Sequence, residues 1–352
     1  MDSPVVLLRR RAGAIAESIV RQAPAGSIAL IFAGGSVARG AVWGASVADC
    51  LEIYSDIDLY VVVAAPEHTA SVRAAARAVL RDLASSEPGV RYLRGADVGV
   101  YTREDLRAQP VRPGTADLAA LHLPLYGDAG RIAGMVPEAG GRMDPAEALY
   151  LLENRAWDAD EPDATDPAVH RLRRVLSLKL DMDIATAHGI ALGLADPRVE
   201  AAAARAIHAR DNLASFFDNA AAADAEPPIV RACNAWRELA PRVLALPAAD
   251  GAALVAARCA QGRWIENSRE NAQAVRGAGR SRVQAIIGGV RCAQRSARAT
   301  VRGHAIARAL VRVEPAGSMR SHLTHLEHVT AALGFRDGTL DDRARAARRA
   351  LL

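Results

Sequence analysis

Ile28-Ala29-Leu30-Ile31-Phe32-Ala33-Gly34-Gly35-Ser36 and, after a polar interval, Ser55-Asp56-Ile57-Asp58-Leu59-Tyr60-Val61-Val62-Val63 decide the reading of this chain. The first is a short apolar run that stops at a glycine pair, the pattern of a buried strand entering a tight turn. The second starts by alternating and then becomes β-branched, so it also reads as a strand. Alternation puts Asp56 and Asp58 on one face and Ile57, Leu59 and Val61 on the other. Two carboxylates side by side repel unless a cation sits between them. Oxygen ligands of this kind suit Mg²⁺, which pairs one or two carboxylates with substrate phosphates. Gly34 and Gly35 let the backbone approach an anion closely, and Ser36 follows with a hydroxyl where a helix would begin. Together they describe a phosphate cradle beside a cation site.

This order of features resembles the nucleotidyltransferase superfamily of the DNA polymerase β type, marked by a Gly-Ser turn followed by Asp-x-Asp on the next strand. The resemblance implies two Mg²⁺ ions, with Mn²⁺ as an alternative. It also implies ATP or another NTP as donor, and transfer of a nucleotidyl group to a hydroxyl. In that scheme Gly34, Gly35 and Ser36 bind the nucleotide, while Asp56 and Asp58 hold the metals. The interval from Ser36 to Asp56 is longer than the usual motif and reads as an extended loop over the site. A third carboxylate is expected on a neighbouring strand. Asp97 fills that place at the head of Asp97 to Tyr101, where it would complete the metal site and help take the proton from the attacking hydroxyl. Gly99 beside it would leave room for substrate.

The bounds are those of an ordinary globular chain. With 352 residues, 51% hydrophobic content and 24% charge, two cores are more natural than one. The formal net charge of +4 excludes a polycation. Cys50, Cys233, Cys259 and Cys292 show no C-x-x-C spacing, which favours a reducing, cytoplasmic setting over disulfides or structural zinc. The apolar run after Pro4 is too short for a signal peptide, and no uninterrupted apolar stretch would span a membrane.

Pro4 to Gln22 reads as a helix, Pro66 to Ser85 as another, and Val90 to Leu93 with Asp97 to Tyr101 as strand. A short helix is expected at Ala116 to Leu121. Leu125-Tyr126-Gly127-Asp128 resembles the turn at which many small-molecule nucleotidyltransferases leave the catalytic domain. From Asp144 the strand signals vanish. Helices are expected from Pro145 to Trp157 and from Pro167, capped by Asp166, to Leu192. Others follow over Pro197 to Phe217, Pro227 to Leu246, and on to the C-terminus. Asn154-Arg155 with Lys179 and Asp183 resembles the helical half that follows the catalytic domain in bacterial members. The expectation is therefore an α+β fold: a mixed-sheet catalytic domain over residues 1 to 135, then an all-helical domain over 136 to 352 that forms a wall of the acceptor cleft.

Lys179 is the only lysine in a chain that otherwise uses arginine. A compact point charge on a flexible stem suits a triphosphate oxygen, so Lys179 joins the nucleotide-binding candidates, with an i,i+4 pair to Asp183 as the competing account. Arg291, Arg295, Arg298 and Arg302 make a helical stripe without acids nearby, usually balanced by solvent or neighbouring acids but able to meet nucleic acid. His322, His325 and His328 fan around a helix instead of converging. Arg298 and His304 also match the loose spacing of a helical ribonuclease family, the HEPN type. The function read from all this is transfer of an NMP, AMP by family analogy, from an NTP to a small-molecule acceptor. A protein or RNA acceptor, or a catalytically silent nucleotide sensor on the same fold, are the alternatives.

Overall fold

The computed structural model describes residues 2–247 and Leu254, apart from 110, 117, 119, 133, 137–142, 160–165, 194–196 and 219–227. The chain divides into two compact units that each draw on separate stretches of sequence. The first holds Met1–Asp144, Asp163–Met182 and Ala201–Ala223; the second holds Pro145–Pro162, Asp183–Glu200 and Asp224–Leu352. The expected division at residue 135 therefore does not follow the compact units, because the first half of one long helix and residues 201–223 belong with the N-terminal part.

In the first unit, α1 (Pro4–Gln22) is followed by β1 (Ile28–Ala33), the one-turn α2 (Gly35–Arg39), β2 (Gly44–Val47), β3 (Cys50–Ile53) and β4 (Ile57–Val63). Then come α3 (Thr69–Arg81), β5 (Ser86–Glu87), β6 (Val90–Tyr92), β7 (Ala96–Tyr101), α4 (Arg103–Arg107), α5 (Pro113–Ala116) and β8 (Leu123–Gly127). The main sheet has the order β7-β4-β1-β8. β1 runs antiparallel to β4 and β8, and β4 runs parallel to β7 with α3 in the connection between them. Ile57, Leu59 and Val61 are buried, and with Ile31 they pack under α1 and α3 through Leu8, Ile15, Ile19, Val72 and Val79. Each such side chain removed from water contributes about 1.5–3 kcal/mol, which fixes which face of β4 looks inward. The polar residues of β4 are thereby committed to the opposite face.

Two expectations change here. The interval between Ser36 and Asp56 is not a loop over the site. It forms the β2–β3 hairpin, part of a second sheet of order β2-β3-β6-β5. Leu51 and Ile53 are buried in it, Ser55 Oγ accepts the Trp43 N–H at 2.8 Å, and β3 pairs parallel with β6. Leu123 to Gly127 is likewise not a turn but an edge strand on β1, with Leu30 opposite Gly127.

The long helix α7 (Pro167–Leu192) starts where Asp166 Oδ1 accepts the Ala168 N–H at 2.9 Å. Its first half packs Leu172, Val175 and Leu176 against Trp43, Tyr54 and Leu213, the last from α9 (Leu213–Asp218), which follows α8 (Pro197–Asp211). In the second unit, α6 (Ala146–Ala159) packs on α10 (Pro228–Val243), with Trp236 Nε1 donating to Glu153 at 3.2 Å. Arg155 pairs with Asp183 there at 2.5 Å. The expected helices beyond Leu254, the Arg291–Arg302 stripe, the three histidines and the Arg298/His304 pair lie outside the described residues.

Candidate active site

The register of the β4–β7 pair sets Asp58 directly opposite Asp97, and Tyr60 opposite Gly99. Asp56, immediately before β4, accepts from Arg94 at 3.3 Å. The Gly34 N–H donates to the Asp58 carbonyl at 3.0 Å, which ties the turn after β1 to the start of β4. Gly35 has φ +58 and lies so tightly on the Asp58 carboxylate that a Cβ there would overlap Oδ2. Only glycine serves here, for both conformation and space. Gly34 is nearly as crowded: a Cβ would come within 2.8 Å of Leu118 Cδ2 and 3.0 Å of Tyr60 Cε2. Ser36 Oγ is buried and has no hydrogen-bond partner. An orphaned buried hydroxyl costs about 1–3 kcal/mol, and a ligand oxygen removes that cost.

Electrostatics point the same way. Burial raises the Asp58 carboxyl above the ordinary carboxylate range, and the charges of Asp56 and Asp97 push it further. Lys179 and Arg39 pull in the opposite direction. Asp183, the other partner weighed for Lys179, pairs with Arg155. Arg39 and Arg94 escaped the sequence reading, since nothing in an arginine-rich chain singles them out. The structure also changes the role of Gly99. The ring of Tyr101 lies over it, where a Cβ would stand, so the space expected for substrate holds a side chain. That ring continues an aromatic row: Phe32 stacks on Tyr60 at 5.1 Å, and Tyr60 on Tyr101 at 6.0 Å.

Among the described residues no group of three or more His, Cys, Asp or Glu side chains is gathered to hold a metal ion. Asp56 leans to Arg94 and Asp97 is exposed, the arrangement that mutual repulsion imposes on three like charges. The donor set would nevertheless suit a divalent cation. Asp58 and Asp97 face one another across one strand pair, Asp58 is raised by burial and then by its acidic neighbours, and the Ser36 hydroxyl is unspent.

Compared with protein-family models, curated proteins and solved structures, the chain has no match. No helix among the described residues is long and apolar enough to cross a membrane.

Proposed function

We propose that the protein is a nucleotidyltransferase that moves an NMP from an NTP to a hydroxyl of a small molecule and releases pyrophosphate. One observation supports this above the others: Asp58 and Asp97 stand opposite each other beside a glycine turn that carries a buried, unpartnered hydroxyl. In this reading the Gly34–Gly35 backbone and Ser36 Oγ hold the β- and γ-phosphates. The one-turn α2 is too short to lend a helix dipole, so the contacts are local. Lys179 and Arg39 balance the charge that the phosphates bring. Asp56, Asp58 and Asp97 are the residues that would hold Mg²⁺, which when bound neutralises the carboxylates and polarises phosphoryl oxygen. Asp97, exposed at the edge strand, takes the proton of the acceptor hydroxyl as its oxygen bonds to the α-phosphorus. The bond from the α-phosphorus to the bridging oxygen breaks, and that oxygen leaves with pyrophosphate.

The Asp56–Arg94 pair favours a second reading, a nucleotide sensor that binds NTP and does not turn it over. Incubation with α-labelled ATP, Mg²⁺ and a small-molecule extract separates the two. Transfer or release of labelled AMP supports the enzyme, and Mg²⁺-dependent binding without either supports the sensor.

A further inference from the structure

A cavity of about 620 Å³ lies in the first unit over the second sheet, and Asp56, Asp58 and Asp97 are not among its walls. It is lined by Ser46 and Ala48 of the β2–β3 hairpin, His170, Arg171 and Arg174 of α7, and Phe217 of α9, with the exposed Asp218 at its rim. The volume is that of a small metabolite. Both guanidinium groups are oriented before any ligand arrives. Buried Glu52 takes two hydrogen bonds from Arg171, at 2.8 Å to Nε and 2.5 Å to Nη2, and a third from Tyr54 Oη at 2.5 Å. Arg174 donates to the Phe216 and Phe217 carbonyls at 2.7 and 3.1 Å, and its Cζ lies 4.4 Å over the Phe216 ring.

A buried ion pair is poor currency for stability, since apolar residues of the same volume commonly serve as well or better. What the Glu52 carboxylate does secure is the direction of Arg171. Nε and Nη2 of Arg171 are fixed on Glu52, beside the Tyr54 hydroxyl, and the same side chain lines the cavity. Arg174 follows three positions later on the same helical face, about 5–6 Å away at Cβ, a span that brackets one anionic group. Ala48, in the cavity wall, takes φ +51 in the two-residue turn between β2 and β3.

We propose that this cavity binds a small organic anion whose phosphate or carboxylate is held between Arg171 and Arg174. The inference is independent of the transferase reading. Its test is calorimetric titration of the full chain with inorganic phosphate and with succinate, at fixed ionic strength and without Mg²⁺. Arg171→Ala would strand the buried Glu52 charge, so the variants are Arg174→Gln alone and Arg171→Gln combined with Glu52→Gln, each checked by melting. Ser36→Ala controls for anion binding at the glycine turn. At least one probe should bind wild type and Ser36→Ala alike and lose tenfold or more in both cavity variants; the probe that binds tells phosphate from carboxylate. Absence of binding to wild type overturns the proposal. So does wild-type affinity in the cavity variants, or affinity lost only in Ser36→Ala.

Discussion

Gly35 and Glu52 show how much a single position can constrain. A Cβ at Gly35 meets the Asp58 carboxylate and forces a left-handed backbone on an L-residue. Gly35→Ala should therefore lower the melting temperature and weaken NTP binding at least tenfold. Unchanged NTP affinity in a calorimetric titration would remove the turn from the site. For Glu52, burial alone would raise the carboxyl, but hydrogen bonds from Arg171 and Tyr54 and the charges of Arg171 and Arg91 outweigh it and hold it below its usual 4.5. A depressed carboxyl contributes stability that is fully present above the unfolded value, near 4.5, and is lost as pH falls through the lower folded value. Glu52→Gln, which leaves Arg171 without its counter-charge, should cost about 3 kcal/mol at pH 7. The gap in melting temperature to wild type should narrow below pH 4.5. A gap constant from pH 7 to pH 3 would contradict the ion-pair account. Lys179 belongs to this scale too. If it serves the phosphates, Lys179→Ala raises the KM for NTP and Lys179→Arg rescues poorly, because the planar fork is larger and directional. A nearly silent Lys179→Arg with normal KM in Lys179→Ala would return Lys179 to a structural role.

At the scale of elements, the sequence carried the parts that depend on periodicity. The bounds of α1 match the expected Pro4 to Gln22, and β1, β4 and β7 fall within a residue or two of the apolar runs that named them. The β2–β3 hairpin was invisible for a definite reason. Val47 pairs with Cys50, so the connection is Ala48-Asp49, without the glycine or asparagine that usually announces such a turn. The chain accepts the left-handed Ala48 instead. Ala48→Gly should relieve that strain and stabilise the protein by roughly 1 kcal/mol, offset in part by backbone entropy, measured by chemical denaturation. A destabilised Ala48→Gly would show that Ala48 packs more tightly than its exposure implies. β8 was missed because Pro124 breaks the strand signal; an edge position tolerates it, since proline there need not donate to a neighbour. Residues Pro197 to Phe217 read as one helix but form α8 and α9, parted at Asn212.

For the whole molecule, composition and pattern foretold an α+β chain with a helical continuation, and the described residues bear that out. They did not foretell that α7 is shared, its first half with the sheet-bearing unit and its second half with α6 and α10. Such sharing is a product of tertiary contact, and helical periodicity alone carries no mark of where one core ends and the next begins. Asp56 and Asp58 entered as candidates because alternation fixes faces, and Asp97 because the resemblance implies a third carboxylate on a neighbouring strand. The strand register that sets Asp97 against Asp58 was not legible, since parallel pairing leaves no local signature. The central claim, that these carboxylates serve nucleotidyl transfer, is tested most directly by Mg²⁺-dependent transfer of label from α-labelled NTP to acceptors in a small-molecule extract, with release of pyrophosphate. The comparison is between wild type, Asp58→Asn and Asp97→Asn. Wild type should turn over, Asp58→Asn should fall at least a thousandfold with an intact fold, and Asp97→Asn should lose kcat far more than NTP affinity. Turnover at the wild-type rate in a folded Asp58→Asn protein would contradict the account.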